Sequence, residues 1–367
     1  MPWLKPSTDA KRVLIFRLGS LGDTVVALPS FRLIARHFPG ADRRVLTNVP
    51  RDARETDLDA VLGGTDLVHG YMHFDPAERS AASVARVRRE IRAYAPDLLV
   101  YLCEQNSRLR LLRHIAFFVS CGLLSIVGMP EFSSEGVHQL DRDSGLWESE
   151  AAFLLRRLRP IAEASVEDEA LWDMQFTAGE RRQAAAALGG FAGADDFIAV
   201  APGAKIEVKD WGAARWTELI AGLGARHREL GLVTIGGPGD RARAGELARV
   251  WPGPSRDLSG RVSPRVSALV MARARLLATH DSGPMHLAAA VGTPVAAIFS
   301  ARAKPGIWFP RGAANRVFYR RVPCFDCGLE ICAAEGKRCI NDIGVDEVLD
   351  ACHAMLAGQN TRPVPVG

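Results

Sequence analysis

The chain contains no apolar run long enough to cross a bilayer. The longest, Ile115–Met129, falls short of the roughly 18–20 residues that a span requires, and Gly122 and Ser125 break it. A leader pattern is missing too: MPWLKPSTDAKR places no apolar core behind a basic start, so no secretion signal is expected and a cytoplasmic setting is the default. Neither charge sign is in large excess. The 46 Lys and Arg against 42 Asp and Glu leave +4, too little to suggest a nucleic-acid partner. No internal repeat or low-complexity tract stands out, and no GxGxxG of a dinucleotide site occurs where a strand meets a helix. The seven cysteines are an odd number, and without a secretion signal they argue against a disulfide framework. What remains is an ordinary globular composition, 48% hydrophobic and 24% charged, over 367 residues, enough for about two domains.

Strand and helix patterns alternate along almost the whole chain. RVLIFRL (12–18) reads as a buried strand. It ends in the glycine turn 19–23 and leads into one helix through TVVALPSFRLIARHFPG. Strand RRVLTN, helix Asp52–Leu62, strand DLVHGY, helix Ser80–Tyr94, strand PDLLVYL, helix Leu109–Val119 and strand LLSIVG follow, a doubly wound α/β pattern. Glu148–Arg159 is a further helix, and the acidic stretch IAEASVEDEALWD reads as a linker. A second alternating series starts near Thr177, with helices at Arg215–Arg228, Arg241–Val250 and Ser263–Arg273. The unit around ATHDSGPMHLAAAVGTPVAAIF (278–299) completes its sheet. Val345–Leu356 is a final amphipathic helix. The expected division is residues 1–172, 173–343, and 344–367 for that helix and its tail.

Four turns carry the candidate chemistry. The turn at 19–23 brings Gly22 and Asp23 to the end of a strand, where Asp23 is either a helix cap or a general base. APGAKIEVKDW puts Gly203, Ala204, Lys205 and Lys209 behind another strand; loop lysines are often simply solvated. IGGPGD supplies Gly237 and Asp240. The fourth turn, Asp281, Ser282, Gly283, Pro284, Met285 and His286, opens a helix whose first N–H groups suit a phosphate. The doublet Asp57/Asp59 falls in a predicted helix and is a poor metal site. Cys103, Cys121 and Cys352 sit among apolar neighbours and read as core. Cys324, Cys327, Cys332 and Cys339 form C-x2-C-x4-C-x6-C, for which two structural alternatives stay open: a tetrahedral zinc or iron site, or a reduced, metal-free finger.

RLGSLGDTVVALP, PGA…KDW, DLSG-x-V-S and HDSGPMHLAAAVGTPV, in their order along the chain, resemble glycosyltransferase family 9, the bacterial heptosyltransferases. The cysteine segment resembles that of the heptosyltransferase II branch. The resemblance covers about residues 12–348. It implies a GT-B fold, two Rossmann-like domains facing across a cleft, with the last helix packing back on the N-terminal one. It also implies an ADP-sugar donor, ADP-heptose above all, used with inversion and without a metal or other cofactor. By position, Asp23 would be the catalytic base and Lys209 a contact to the donor's phosphates or sugar. Residues 282–285 would hold the diphosphate, Asp281 would lie beside the nucleoside and sugar, and Asp240 would touch ribose. Gly22, Gly203, Ala204, Gly237 and His286 complete the donor site, with backbone-only contact at Gly203 and Ala204. The implied acceptor is a glycan or lipid-linked glycan, with peripheral contact at the inner face of the membrane. The arginines 86, 88, 89 and 92 and 108, 110 and 113 are either its phosphate partners or solvated helix faces. A nucleotide-sugar epimerase and a non-catalytic binding protein of the same fold are the alternatives.

Overall fold

The structure, a computed structural model, describes residues 9–50, 56–78, 80–103, 107–130, 137–193, 195–333 and 335–358. The N-terminal segment read for a leader, the start of the expected helix Asp52–Leu62 and the Pro-rich tail lie outside the described residues. The chain divides into two compact units: residues 1–140 with 148–175, and residues 141–147 with 176–367.

The first unit is built on five parallel strands: β1 (Arg12–Phe16), β2 (Asp42–Asn48), β3 (Gly70–Phe74), β4 (Leu98–Tyr101) and β5 (Ile126–Val127), in spatial order β3-β2-β1-β4-β5. The unbroken apolar runs of β1 and β4 follow from burial on both faces of a parallel sheet. On one face Leu14, Phe16, Leu46 and Tyr101 pack with Val87 and Ile91 of helix Ala81–Tyr94 and with Leu111 and Phe118 of helix Arg108–Ser120. Each such side chain contributes about 1.5–3 kcal/mol when fully buried.

The second unit carries β6 (Phe197–Ala201), β7 (Gly231–Thr234), β8 (Ser255–Asp257), β9 (Leu277–His280), β10 (Val295–Ile298) and β11 (Arg316–Phe318), all parallel, in order β11-β10-β9-β6-β7-β8. Counted within the unit this is 3-2-1-4-5-6, the Rossmann order, and the first unit has the same order less one strand. Its first helix, Ala178–Leu188, starts where a capping box dictates. Thr177 N donates to Glu180 Oε2 at 2.8 Å, and Glu180 N donates to Thr177 Oγ1 at 3.2 Å.

The structure corrects several expectations. The single helix after Asp23 is two, Leu21–Val26 and Leu28–His37. Pro29 has no N–H for the Val25 carbonyl, so the hydrogen-bond ladder breaks there. The third strand begins at Gly70, later than DLVHGY suggests, and the described part of the third helix is only Asp59–Leu62, with Asp57 just ahead of it. The unit at 278–299 does not complete the second sheet, because β11 pairs beyond β10 through Ala296–Ile298. The last helix, Val345–Leu356, buries Val348, Cys352 and Leu356 in the second unit's own core with Trp211, Trp216 and Leu219.

Candidate functional site

An open parallel sheet binds ligands outside the carboxyl ends of its strands, where the strand order reverses. In the second unit the reversal lies between β6 and β9. The segment after β6 carries Gly203, Ala204 and Lys209, and the turn after β9 carries Asp281 to Met285. Residues far apart in sequence thus meet at one place for a topological reason.

Lys209 closes a 3-10 turn, Glu207–Lys209. Its Nζ lies 2.6 Å from Asp281 Oδ2 and 3.4 Å from the Asp281 carbonyl oxygen. The two side chains are 18% and 8% exposed, so the pair is held largely out of water but not sealed. Helix Gly283–Ala290 begins just beyond. Its N-cap residue Ser282 makes no capping bond; the hydroxyl instead meets Thr279 Oγ1 at 3.1 Å, and Thr279 Oγ1 donates to the Ala201 carbonyl at 3.0 Å. Pro284 has no N–H to satisfy, and the first-turn N–H groups of Gly283 and Met285 keep the polarity that attracts an anion. His286 is buried, its ring edge-on to Trp308 at 6.2 Å.

His280, the last residue of β9, is not among the residues that sequence reasoning singles out, yet it ties the site together. Its Nε2 accepts from Trp211 N at 3.0 Å and from Trp216 Nε1 at 3.1 Å. Both are donors only, so Nε2 carries no proton, and Nδ1 faces the Gly203 carbonyl at 3.3 Å. One imidazole therefore joins the glycine turn, the loop of Lys209 and the helix Ala213–Arg226. Burial pushes its pKa down to about 4. The available signal is the pairing of His280 with the Lys-Asp-Trp motif, which carries meaning only once β6 and β9 are known to be neighbours.

Asp240 ends the 3-10 turn Pro238–Asp240 and accepts from Gly237 N at 2.8 Å. A Cβ at Gly203 would press on the Asp240 carboxylate, which would have to swing aside. Gly203, Gly237 and Asp240 are thus brought together. Beside them Asp210 forms a two-pronged pair with Arg243, at 2.9 and 3.2 Å, and Arg243 also donates to the Pro202 carbonyl. Although half burial alone would raise it, the Asp210 carboxyl is held below its usual range by Arg243 and the Gly212 N–H. Ala204 is half-buried on the same loop.

In the first unit the strand order reverses between β1 and β4, and the turn after β1 holds Gly22 and Asp23. Asp23 is not the helix cap but the third helical residue, and its Oδ2 accepts from Ser20 N at 2.8 Å and Ser20 Oγ at 3.0 Å. Gly19, at φ +144°, allows this, since a Cβ there would run into the Asp23 side chain. The turn is anchored from below by Arg17, which is fully buried and donates to the Asp23 carbonyl at 2.8 Å, to Leu102 O at 2.6 Å and to Glu150 Oε1 at 3.1 Å. His138 Nε2 stands 3.3 Å from the other Glu150 oxygen. Burial would raise the Glu150 carboxyl, but His138 and Arg17 hold it below the usual range. Arg17 and Glu150 are distant in sequence, and nothing local announces their pairing.

Other expectations resolve in place. Cys103, Cys121 and Cys352 are buried, and burial pushes the Cys103 and Cys352 thiols up to about 12. Cys324 and Cys327 are exposed, Cys332 is half-buried and Cys339 buried. Among the described residues no three His, Cys, Asp or Glu side chains are grouped to hold an ion. Arg86 pairs with Glu90 at 2.9 Å and Arg92 donates to the Ser120 carbonyl at 2.6 Å, whereas Arg88, Arg89, Arg110 and Arg113 are exposed. Among the described residues no helix is long and apolar enough to cross a membrane.

Comparison with known proteins places these motifs. Lipopolysaccharide heptosyltransferase 3 of Escherichia coli is 31% identical over 127 residues, 34% of this chain and 34% of that protein; the match thus spans about a third of the curated relative's length. Among solved structures, a glycosyl transferase of family 9 from Veillonella parvula superposes with a TM-score of 0.72 at 20% identity, covering 95% of this chain and 98% of that one. ADP-heptose lps heptosyltransferase II of E. coli gives 0.63 at 19% identity, covering 95% and 100%. These likenesses establish the GT-B fold. The family model for glycosyltransferase family 9 (heptosyltransferase) matches residues 149–335, half of the chain, including Lys209, His280 and the Asp281 turn, and the chain belongs to that family.

Proposed function

We propose that this chain is an inverting glycosyltransferase that moves a heptose from ADP-heptose to a hydroxyl of a lipopolysaccharide-core or related glycan, using no metal and no other cofactor. The observation that carries the reading is the helix start at Ser282. Its N-cap hydroxyl is turned away to Thr279 while Lys209, from the segment after β6, is held against the same turn by Asp281. That is a seat for a diphosphate. The relatives' names supply the sugar and the nucleotide.

In this reading Asp23 takes the proton from the acceptor hydroxyl, whose oxygen attacks the anomeric carbon on the face opposite the departing diphosphate. One carboxylate oxygen, Oδ2, is occupied by Ser20, which fixes the group's direction and leaves Oδ1 for the acceptor. Arg17 fixes the backbone beneath it. Charge grows on the leaving diphosphate, where a helix dipole contributes only about 0.3–2 kcal/mol. Losing one preorganised donor at developing charge costs about 2.7–4 kcal/mol. Directed N–H groups and Lys209 therefore supply most of the stabilisation, and Asp281 aims the lysine. Gly203, Gly237 and Asp240 border the nucleoside, and His280 sets the height of the glycine turn. A lipid-linked acceptor would bring the enzyme to the inner face of the cell membrane.

The test is Asp23→Ala with ADP-heptose and candidate acceptors, followed by mass spectrometry of the product and its anomeric configuration by NMR. The expected loss in kcat is about 10²–10⁴-fold with ADP affinity retained; turnover near that of the parent refutes the assignment.

A further inference from the structure

The first unit holds a cavity that none of this chemistry uses. It has a volume of about 230 Å3 and is walled by Phe16, Leu46, Phe74, Val84, Phe117 and Phe118. Phe16 and Phe74 are the last residues of β1 and β3, and Leu46 lies near the end of β2. The cavity therefore opens at the carboxyl edge of the sheet, the edge from which the Asp23 turn also springs. That turn is tied to the end of β2, because Gly19 N donates to Asn48 Oδ1 at 2.9 Å. Asp75 and Glu78 are the charged groups of the lining; among the described residues no Lys or Arg contributes. His114, also in the lining, has its Nδ1 2.8 Å from the Tyr101 phenolic oxygen. Burial, and then Arg110, lowers its pKa, so it adds no positive charge at neutral pH. The two carboxylates are steadied locally, Asp75 Oδ1 by Ala77 N at 2.8 Å and Glu78 Oε1 by Ser80 Oγ at 3.1 Å.

We propose that this cavity is an acceptor subsite for an uncharged apolar group, a ring or a short hydrocarbon chain, attached to a hydroxyl-bearing moiety that meets Asp75 and Glu78. Aromatic walls at the strand ends reward an apolar face. The volume suits it, since a cavity of about 150 Å3 accommodates benzene. Two carboxylates, with no Lys or Arg among the described lining residues, disfavour a phosphate or carboxylate at the same place. The arginines of helices Ala81–Tyr94 and Arg108–Ser120 take no part in this lining. Assigning the occupant to the acceptor rests on the transferase reading above; the binding itself does not.

Phenyl β-D-glucopyranoside, octyl β-D-glucopyranoside, free glucose and phenyl phosphate serve as probes, titrated into the full chain by calorimetry and by saturation-transfer NMR. One or both glucosides are expected to bind at least tenfold more tightly than glucose and phenyl phosphate, and the tighter of the two identifies ring or chain. Val84→Trp, at an exposed position on the rim, should abolish that binding while keeping parental ADP affinity and melting temperature, and Phe117→Ala, which also loses packing against the core and Phe118, should weaken it while keeping parental ADP affinity. Equal affinity for phenyl phosphate, no glucoside binding, or binding untouched by Val84→Trp overturns the proposal. Failure of ADP-heptose turnover with glucoside binding intact would instead count against the transferase reading.

Discussion

Replacing His280 by Asn should remove a specific part of the chain's acid sensitivity. An ordinary imidazole titrates near 6.5, whereas burial brings His280 to about 4. Protonation would place a proton on Nε2, which already faces the N–H groups of Trp211 and Trp216. The fold therefore requires the neutral ring. Above pH 6.5 neither state binds the extra proton and nothing is lost. As pH falls from 6.5 toward 4 the unfolded chain takes up a proton that the fold refuses, so stability declines; below 4 the fold protonates too and the decline stops. The gap between the two values corresponds to about 3 kcal/mol. The assay is urea unfolding at a series of pH values from 7.5 to 4, followed by tryptophan fluorescence, because Trp211 and Trp216 touch the ring. Glu180, held at about 2 chiefly by Arg265, and Asp210 add their own acid dependence at the lower end, so the informative quantity is parent minus variant. His280→Asn should be less stable at pH 7.5 yet lose about 3 kcal/mol less on acidification. Parallel profiles for the two proteins would refute the account.

Lys209→Met should weaken ADP binding roughly 10–100-fold, the worth of a charge-assisted contact of about 1.5–3 kcal/mol; unchanged calorimetric affinity would remove Lys209 from the donor site. Gly203→Ala pushes the partly exposed Asp240 carboxylate aside and off Gly237 N, and should cost about 0.5–1.5 kcal/mol in urea unfolding, with Gly203→Ala/Asp240→Ala no less stable than Gly203→Ala. Glu150→Ala strands the buried Arg17 guanidinium and should cost about 3–5 kcal/mol; a loss below about 1 kcal/mol would show that the pair is not what anchors the Asp23 turn.

The legible parts of this sequence are those whose causes are local. Helix Arg241–Val250 and helix Val345–Leu356 have the bounds read from the sequence, because apolar spacing and flanking residues act over a single turn. The strand, turn and helix around Asp281 are readable for the same reason; the Lys209–Asp281 pair is not, since the family pattern gives the two residues only as separate donor contacts. Residues that act across the fold are not. His280 looks like the tail of a strand, since its partners Gly203, Trp211 and Trp216 lie 64–77 positions away. Arg17 looks like a strand-end cation, with its carboxylate partner 133 positions on. β11 escapes because three residues, RVF, carry too little periodicity to stand out from a loop. The break at Ala27 is legible in principle, as Pro29 is in plain view, but the apolar spacing on either side conceals it.

Trp211 sends its indole N–H to the Ile343 carbonyl at 2.9 Å, and its own backbone N–H to His280. The segment entering the C-terminal helix and the loop bearing Lys209 thus brace each other through a single tryptophan. Any shortened version of the second unit must run through Leu356. A chain cut near residue 344 would unroof Trp211 and Trp216 and unmoor the lysine, so lost nucleotide affinity in such a fragment would report a missing prop, not a missing ligand contact.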